Sequence, residues 1–257
     1  YSTDGLGYVD SDVIGLKVEG VEPTVAEVQS GNYPISRNLN MFTDGTPGGL
    51  AKDFIEYIQS DEGQTIVEDE GFVPLSSGGD DGGDDTRSIT VEGSTTVLPI
   101  AQAAADAWMA DNANDDIQVS GGGSSVGVKA VAEGTADIGM ASRELKDSEK
   151  TDYPNLVQHI VAKDGIAVIV NKDNSVSSLT LEQVKKVYLG EVTNWKDVGG
   201  DDQEVVVVGR DSASGTRATF EELALDDQSP VDTMMEKNSN GAVHTTITET
   251  PAAIGYV

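Results

Sequence analysis

From Ile89 to Met140 the chain alternates short apolar runs with amphipathic stretches, and this order narrows the available folds more than any other feature. Ile89–Val91, Ile117–Val119 and Ile138–Met140 predict buried strands, while Leu98–Met109 and Val126–Ala132 repeat apolar residues at helical spacing. A β-α-β-α-β succession opens a doubly wound α/β lobe around a parallel sheet. Further buried strands are expected at Ile166–Val170 and Val205–Val208, with helices near Leu181–Tyr188, Arg217–Leu225 and Gln64–Glu68. Leu50, Phe54, Tyr57 and Ile58 share one helical face, which reads as ordinary core.

At 257 residues the chain is long enough for two lobes with cores of their own. It contains no run of about 18 apolar residues and no charged-then-apolar leader, so a soluble chain without signal or anchor is expected. Without cysteine, and with His159 and His244 as the only histidines, disulfides, thiolate metal sites and thiol catalysis are excluded and zinc has little to bind. Forty-five Asp plus Glu against sixteen Lys plus Arg give a net charge of -29, spread along the whole chain. Such self-repulsion opposes compaction in dilute buffer and is screened at molar salt, where the Debye length is about 3 Å. The composition is that of a halophile's surface, and it disfavours nucleic acid, whose phosphates need basic patches. Ser76–Arg87 (SSGGDDGGDDTR) can bury nothing and reads as a flexible linker.

Three segments share one design, an apolar strand, a loop of Gly with Ser or Thr, and a helix. They are Glu92-Gly-Ser-Thr-Thr-Val-Leu-Pro99, Ser120-Gly-Gly-Gly-Ser-Ser-Val-Gly127 and Gly209-Arg-Asp-Ser-Ala-Ser-Gly-Thr-Arg217. The first amides of a helix lack intrahelical partners and the macrodipole is positive there, so an anion fits, and glycine lets it approach the backbone. A single such loop is more often a plain N-cap; three in one chain point to an oxyanion site. The second loop is not a nucleotide P-loop, because Lys129 comes one residue late and Ala130 follows it. Gly123-Ser-Ser-Val-Gly127 also spells G-x-S-x-G, but no HGGG-type segment precedes it and a serine hydrolase built on Ser125 and His244 is not expected. Among the five arginines, Arg37, Arg143, Arg210 and Arg217 lie in or beside loops, and guanidinium groups grip tetrahedral oxyanions through paired hydrogen bonds. The competing reading is that each pairs with a carboxylate.

The segments VEGSTTVLPIA, GGGSSVGVKAVAEGTADIGMASRELK, VVGRDSASGTRATFEEL and NGAVHTTITETPAAIGYV resemble, in order, the motifs of phosphate-binding proteins of the PstS family. Residues 16–75 resemble that family's C-terminal third, yet here they come first. The resemblance therefore implies a circularly permuted order, with residues 76–87 joining the family's two ends. It implies an α/β, two-lobed, periplasmic-binding-protein-like fold (type II), each lobe a sheet flanked by helices. The expected lobes are 88–166 plus 37–75 and 167–257 plus 1–36, with chain crossings near Gly165–Asn171 and Ile35–Phe42 and the anion in a cleft that closes on it.

Carried over residue by residue, the family's phosphate contacts fall on the Thr95 hydroxyl, the Thr96 amide, Ser124 with Ser125, Arg210, and Ser214-Gly215-Thr216, with Arg143 added to the candidates. An aspartate that accepts the proton of hydrogen phosphate in the best-known branch is replaced here by Arg143, which leaves Asp211 as the nearest candidate acceptor or as the residue holding Arg210. The resemblance further implies inorganic phosphate as ligand, no cofactor, no metal and no catalysis, an ABC permease as partner, a monomer, and an extracellular or cell-surface setting with a lipid anchor in the native order. Another oxyanion (sulfate, arsenate or molybdate) and reuse of the domain as an engineered sensor or scaffold stay open.

Overall fold

A computed structural model of the chain describes residues 9–75 and 87–257. Two compact units divide it, one of residues 38–163 and one of residues 164–257 with the described residues up to 37. Arg37 and residues 164–166 thus belong with the second unit, a shift from the expected limits that has a physical cause. Arg37 donates to the Asp164 carboxylate from Nε (3.1 Å) and Nη2 (2.7 Å), with both side chains buried. Beside this pair, the Tyr33 hydroxyl donates to Ile166 O and the Ile166 amide to Ile35 O. Separating either residue from its partner would strand a buried charge, at a cost of about 3–5 kcal/mol. Arg37 is accordingly a structural arginine.

The chain opens with β1 (Val13–Gly15), β2 (Lys17–Val18) and α1 (Val25–Gln29), and β3 (Ser36–Asp44) follows. Residues up to 165 then form α2 (Gly49–Gln59), α3 (Asp61–Asp69), β4 (Arg87–Gly93), α4 (Leu98–Asp111), β5 (Asp115–Gly121), α5 (Ser124–Ala132), β6 (Ile138–Ala141), α6 (Asp147–Asp152) and β7 (Leu156–Gly165). The remainder is β8 (Val168–Asn171), β9 (Ser178–Leu179), α7 (Leu181–Tyr188), β10 (Val206–Arg210), α8 (Gly215–Leu225), β11 (Met235–Lys237), α9 (Asn240–Glu249) and β12 (Ala253–Tyr256).

In the unit of residues 38–163 the sheet order is β5-β4-β6-β3-β7. β4 runs parallel to β5 and β6 as expected, but β3 is antiparallel to β6, so the sheet is mixed rather than all parallel. Leu50, Phe54, Ile55 and Ile58 of α2 pack into the same core as Ile100, Ala101, Ala104 and Trp108 of α4. Each large aliphatic or aromatic side chain buried there contributes about 1.5–3 kcal/mol. α5 crosses the ends of β4 and β6 so closely that a Cβ on Gly127 would stand 2.4 Å from Glu92 O and 2.7 Å from Met140 O. Glycine is what lets that helix reach the strand ends. Arg87 is not linker: it begins β4 and donates to Asp115 (3.0 and 2.7 Å) and to Asp53. The other expected linker residues, 76–86, lie outside the described residues.

The second unit has the sheet β1-β8-β12-β10-β11, in which β10 is parallel to β11 and β12 while β8 is antiparallel to β1 and β12. The strand expected from Ile166 starts at Val168, because Ile166 bonds to Ile35 and Ala167 exchanges hydrogen bonds with Val257. Tyr188, Phe220 of α8 and Tyr256 form an aromatic cluster, with Phe220 and Tyr256 stacked at 4.1 Å. Among the described residues no helix is long and apolar enough to cross a membrane, and no group of three His, Asp or Glu could hold a metal ion.

Candidate oxyanion site

Each unit carries a glycine–serine turn at the carboxyl end of a parallel strand, and each turn opens a helix. In the first unit β5 runs into Gly121-Gly122-Gly123, where the amides of Gly122 and Gly123 both donate to Gly93 O at 2.8 Å. Gly123 sits at φ 97°, a conformation that glycine adopts without strain. This turn starts α5 two residues earlier than the apolar periodicity predicts, which places Ser124 and Ser125 in its first turn. Among the described residues their two amides have no hydrogen-bond partner. The Ser124 hydroxyl is fully buried, accepts from the Ser142 amide (3.0 Å) and lies 3.3 Å from Ser142 Oγ. Its own proton still has a direction to choose, so it can donate to an anion.

The preceding turn, from β4 to α4, is organised by a residue that the sequence reading passed over. Ser94 Oγ, buried, accepts from the Thr96 amide (3.2 Å) and the Val97 amide (3.4 Å). The Thr96 amide, expected to serve the anion, is therefore engaged in the turn itself. Thr96 is buried and Thr95 half-buried. Ser94 thus shapes the turn ahead of α4 and does not cap it, since the cap residue is Val97 and Pro99 stands in the first helical turn.

In the second unit β10 ends at Arg210 and the chain turns through Asp211, whose Oδ1 accepts from the Ala213 amide (3.0 Å). Ser214 caps α8 by accepting from the Arg217 amide (3.2 Å). The Gly215 amide, first in the helix, has no partner among the described residues. Ser214 and Thr216 are buried beside it.

The arginines divide sharply. Arg143 forms a two-point ion pair with Glu149 (2.7 and 2.8 Å) and donates from Nη2 to Ser125 Oγ (3.1 Å). Burial by itself raises the Glu149 carboxyl, yet hydrogen bonds from Arg143 and the Lys146 amide, with their charges, outweigh it and hold it below the usual range. Arg217 is bound to Glu221 (2.7 Å) and Glu236 (2.5 Å) and donates to Arg210 O. Arg210 has almost no exposure, and its guanidinium donates to Lys237 O, Asn238 O and Asn240 Oδ1. Asp211 does not hold it, since the Asp211 carboxylate is occupied with its own turn.

In each unit the neutral amides and hydroxyls at the helix start are donors of the kind that suits an oxyanion. Residues 80–257 match the family model described as the PBP superfamily domain. Phosphate-binding protein PstS 2 of Streptococcus agalactiae is 38% identical over 195 residues, covering 75% of this chain and 66% of that protein. PstS of Bacillus subtilis is 41% identical over 170 residues, covering 66% of this chain and 56% of that protein. Among solved structures, the phosphate-binding protein of a phosphate ABC transporter from Streptococcus pneumoniae superposes with a TM-score of 0.63 at 34% identity, over 72% of both chains. A protein described as a phosphate ABC transporter substrate-binding protein, solved with bound phosphate from Clostridium perfringens, gives 0.60 at 36% identity, over 66% of this chain and 70% of that one.

The chain belongs to the PstS family. It spans about two thirds of the length of the first of these curated relatives and less of the second. Within a PstS framework the structure keeps Ser124, Ser125, Arg210, Ser214, Gly215 and Thr216 at helix starts or strand ends. It assigns Arg143 to Glu149 and Ser125, and Arg217 to carboxylates. Ser142, Glu149 and Asn240 were missed by sequence reasoning, because each acts on a partner that only folding brings near; Ser94 was passed over although its partners lie in its own turn.

Proposed function

We propose that this chain binds inorganic phosphate and serves as the substrate-binding protein of an ABC uptake transporter, without catalysis. The reading rests on one observation, that each unit opens a helix on a glycine–serine turn with unpartnered amides, those of Ser124 and Ser125 next to buried Ser124 in one unit and that of Gly215 next to buried Ser214 and Thr216 in the other. Oriented N–H and O–H donors suit a small, fully surrounded anion and offer nothing to an apolar ligand. Thr95 adds a hydroxyl donor, and Arg210 supplies the charge-assisted contact. Arg143 acts behind this shell, by holding the Ser125 hydroxyl.

The remaining features fit the same use. Residues up to 75 follow residues 88–257 in the family's order, so the domain is permuted, with residues 76–86 as its connector. The acidic surface suits a protein working as a monomer outside the cell at high salt, handing phosphate to a membrane permease. Isothermal titration in molar potassium chloride tests the central claim. One phosphate per chain is expected, with affinity lowered by Arg210→Ala and no competition from equimolar sulfate. Equal affinities for phosphate and sulfate would reduce the protein to a general oxyanion binder.

A further inference from the structure

The segment that begins at Asn240 carries part of the family resemblance but supplies none of the anion contacts named above. Asn240 is fully buried as the first residue of α9. A buried amide side chain is costly unless its polar atoms are bonded, and α9 does not need it as a cap. That task is done by Ser239, whose Oγ accepts from the Ala242 amide at 3.1 Å.

The Asn240 amide oxygen meets Arg210. Around that guanidinium, Nε donates to Lys237 O (3.3 Å), Nη2 to Asn238 O (3.2 Å) and Nη1 to Asn240 Oδ1. The donors of a guanidinium lie in its plane, so acceptors at all three nitrogens fix how that plane is turned. Two of them are main-chain carbonyls, one of Lys237, the last residue of β11 and paired with Arg210 of β10, and one of Asn238 directly after it. The third is a side chain that a substitution can remove. The Arg210 backbone is pinned separately, because its amide donates to the Tyr256 hydroxyl at 3.1 Å. Loss of Asn240 would therefore loosen the guanidinium without releasing the strand end that carries it.

We infer that Asn240 is a positioning residue for anion recognition: it acts through Arg210 by fixing the orientation of the guanidinium and touches no ligand atom itself. The inference rests on the reading of Arg210 as a phosphate contact. All three acceptors are neutral, so the cradle supplies orientation and leaves the arginine's charge undiminished by these bonds.

A double-substitution cycle read by phosphate calorimetry separates this role from a merely structural one. Asn240→Ala in the parent should raise the phosphate Kd about tenfold, the loss of one well-oriented charge-assisted contact. In an Arg210→Ala background the same substitution should change Kd by no more than about twofold, because nothing remains to be oriented. Equal losses in the two backgrounds overturn the inference and make Asn240 a support of the fold. If Arg210→Ala alone binds phosphate like the parent, the reading of Arg210 fails, a result distinct from equal losses. Thermal melting by circular dichroism verifies that each variant is folded. Should the alanine variant not fold, Asn240→Ser, polar at the helix start but too short to reach the guanidinium, carries the same cycle.

Discussion

The starts of α5 and α8 use the same backbone device and treat charge in opposite ways. Both follow a strand end, both are opened by glycine and serine, and both leave at least one amide without a partner among the described residues. At α5 the neighbouring arginine is tied to a carboxylate, so the charges of Arg143 and Glu149 offset each other and the turn's own donors are neutral amides and hydroxyls. At α8 Arg217 is likewise tied to carboxylates, but Arg210, at the end of the strand before it, is cradled by two carbonyls and an amide oxygen. Arginine at a loop is thus no marker of anion contact by itself; its acceptors tell whether it orients a hydroxyl or meets the ligand.

The largest test of this contrast is to delete each arginine in turn. Arg210→Ala should weaken phosphate binding by tenfold or more, the worth of a charge-assisted contact of about 1.5–3 kcal/mol. Arg143→Ala should cost at most about threefold in affinity and instead lower the melting temperature, since Glu149 loses the partner that offsets its burial. In a chain of net charge -29 the Arg210→Ala penalty should also shrink as potassium chloride is raised, while Arg143→Ala should follow the parent at every salt concentration. Titration calorimetry at two salt concentrations reads both. Equal affinity losses from the two arginines would erase the distinction between the helix starts.

A smaller effect sharpens it from the other side. Ser124→Ala and Ser214→Ala each remove one hydroxyl that accepts from a backbone amide, of Ser142 and Arg217 respectively. Each should lower phosphate affinity several-fold, in line with a neutral bond of about 1 kcal/mol, and the two losses should match. Matching hydroxyl losses beside unmatched arginine losses would mean that the backbone device is equivalent in the two units and charge is what differs. A serine deletion as costly as Arg210→Ala would place recognition in the hydroxyls.

Much of this was legible in the chain, and the boundary of legibility is physical. Apolar runs and helical spacing gave β4, α4, β5, α5 and β6 in order, because burial on one face is a local pattern. Glycine beside serine marked the turns at Ser124 and Ser214, because positive φ and helix capping each ask for particular residue types. The partners of arginine were not legible. Arg37 meets Asp164, and Arg210 meets Asn240, across long stretches of sequence with no periodicity to join them. Even Arg143 and Glu149, close in the chain, pair only because the turn after β6 folds back onto the start of α6. The antiparallel β3 was missed for a related reason, since strand direction depends on where the chain returns and not on which residues the strand contains.

The smallest expected effect concerns the neutralised side of the comparison and its response to pH. Glu149 is partly buried, which by itself raises its carboxyl, but Arg143 and the Lys146 amide hold it below its usual value of 4.5. A carboxyl depressed in the folded state contributes stability that is fully present above its unfolded pKa and is lost as pH falls through the folded value. The ion pair should therefore stabilise the protein evenly above about pH 4.5 and progressively less below it. Glu149→Gln removes the titrating group, so its melting temperature should start lower than the parent's and fall less steeply over that acidic range. Many other carboxylates titrate there too, and the difference between the two curves, measured at constant molar salt, isolates Glu149 from them. Phosphate affinity above pH 6 should change little in the variant, because the pair acts on Ser125 and not on the ligand. Parallel melting curves for parent and Glu149→Gln would mean that Arg143 is compensated by something other than Glu149, and the α5 start would then no longer be the neutral counterpart of α8.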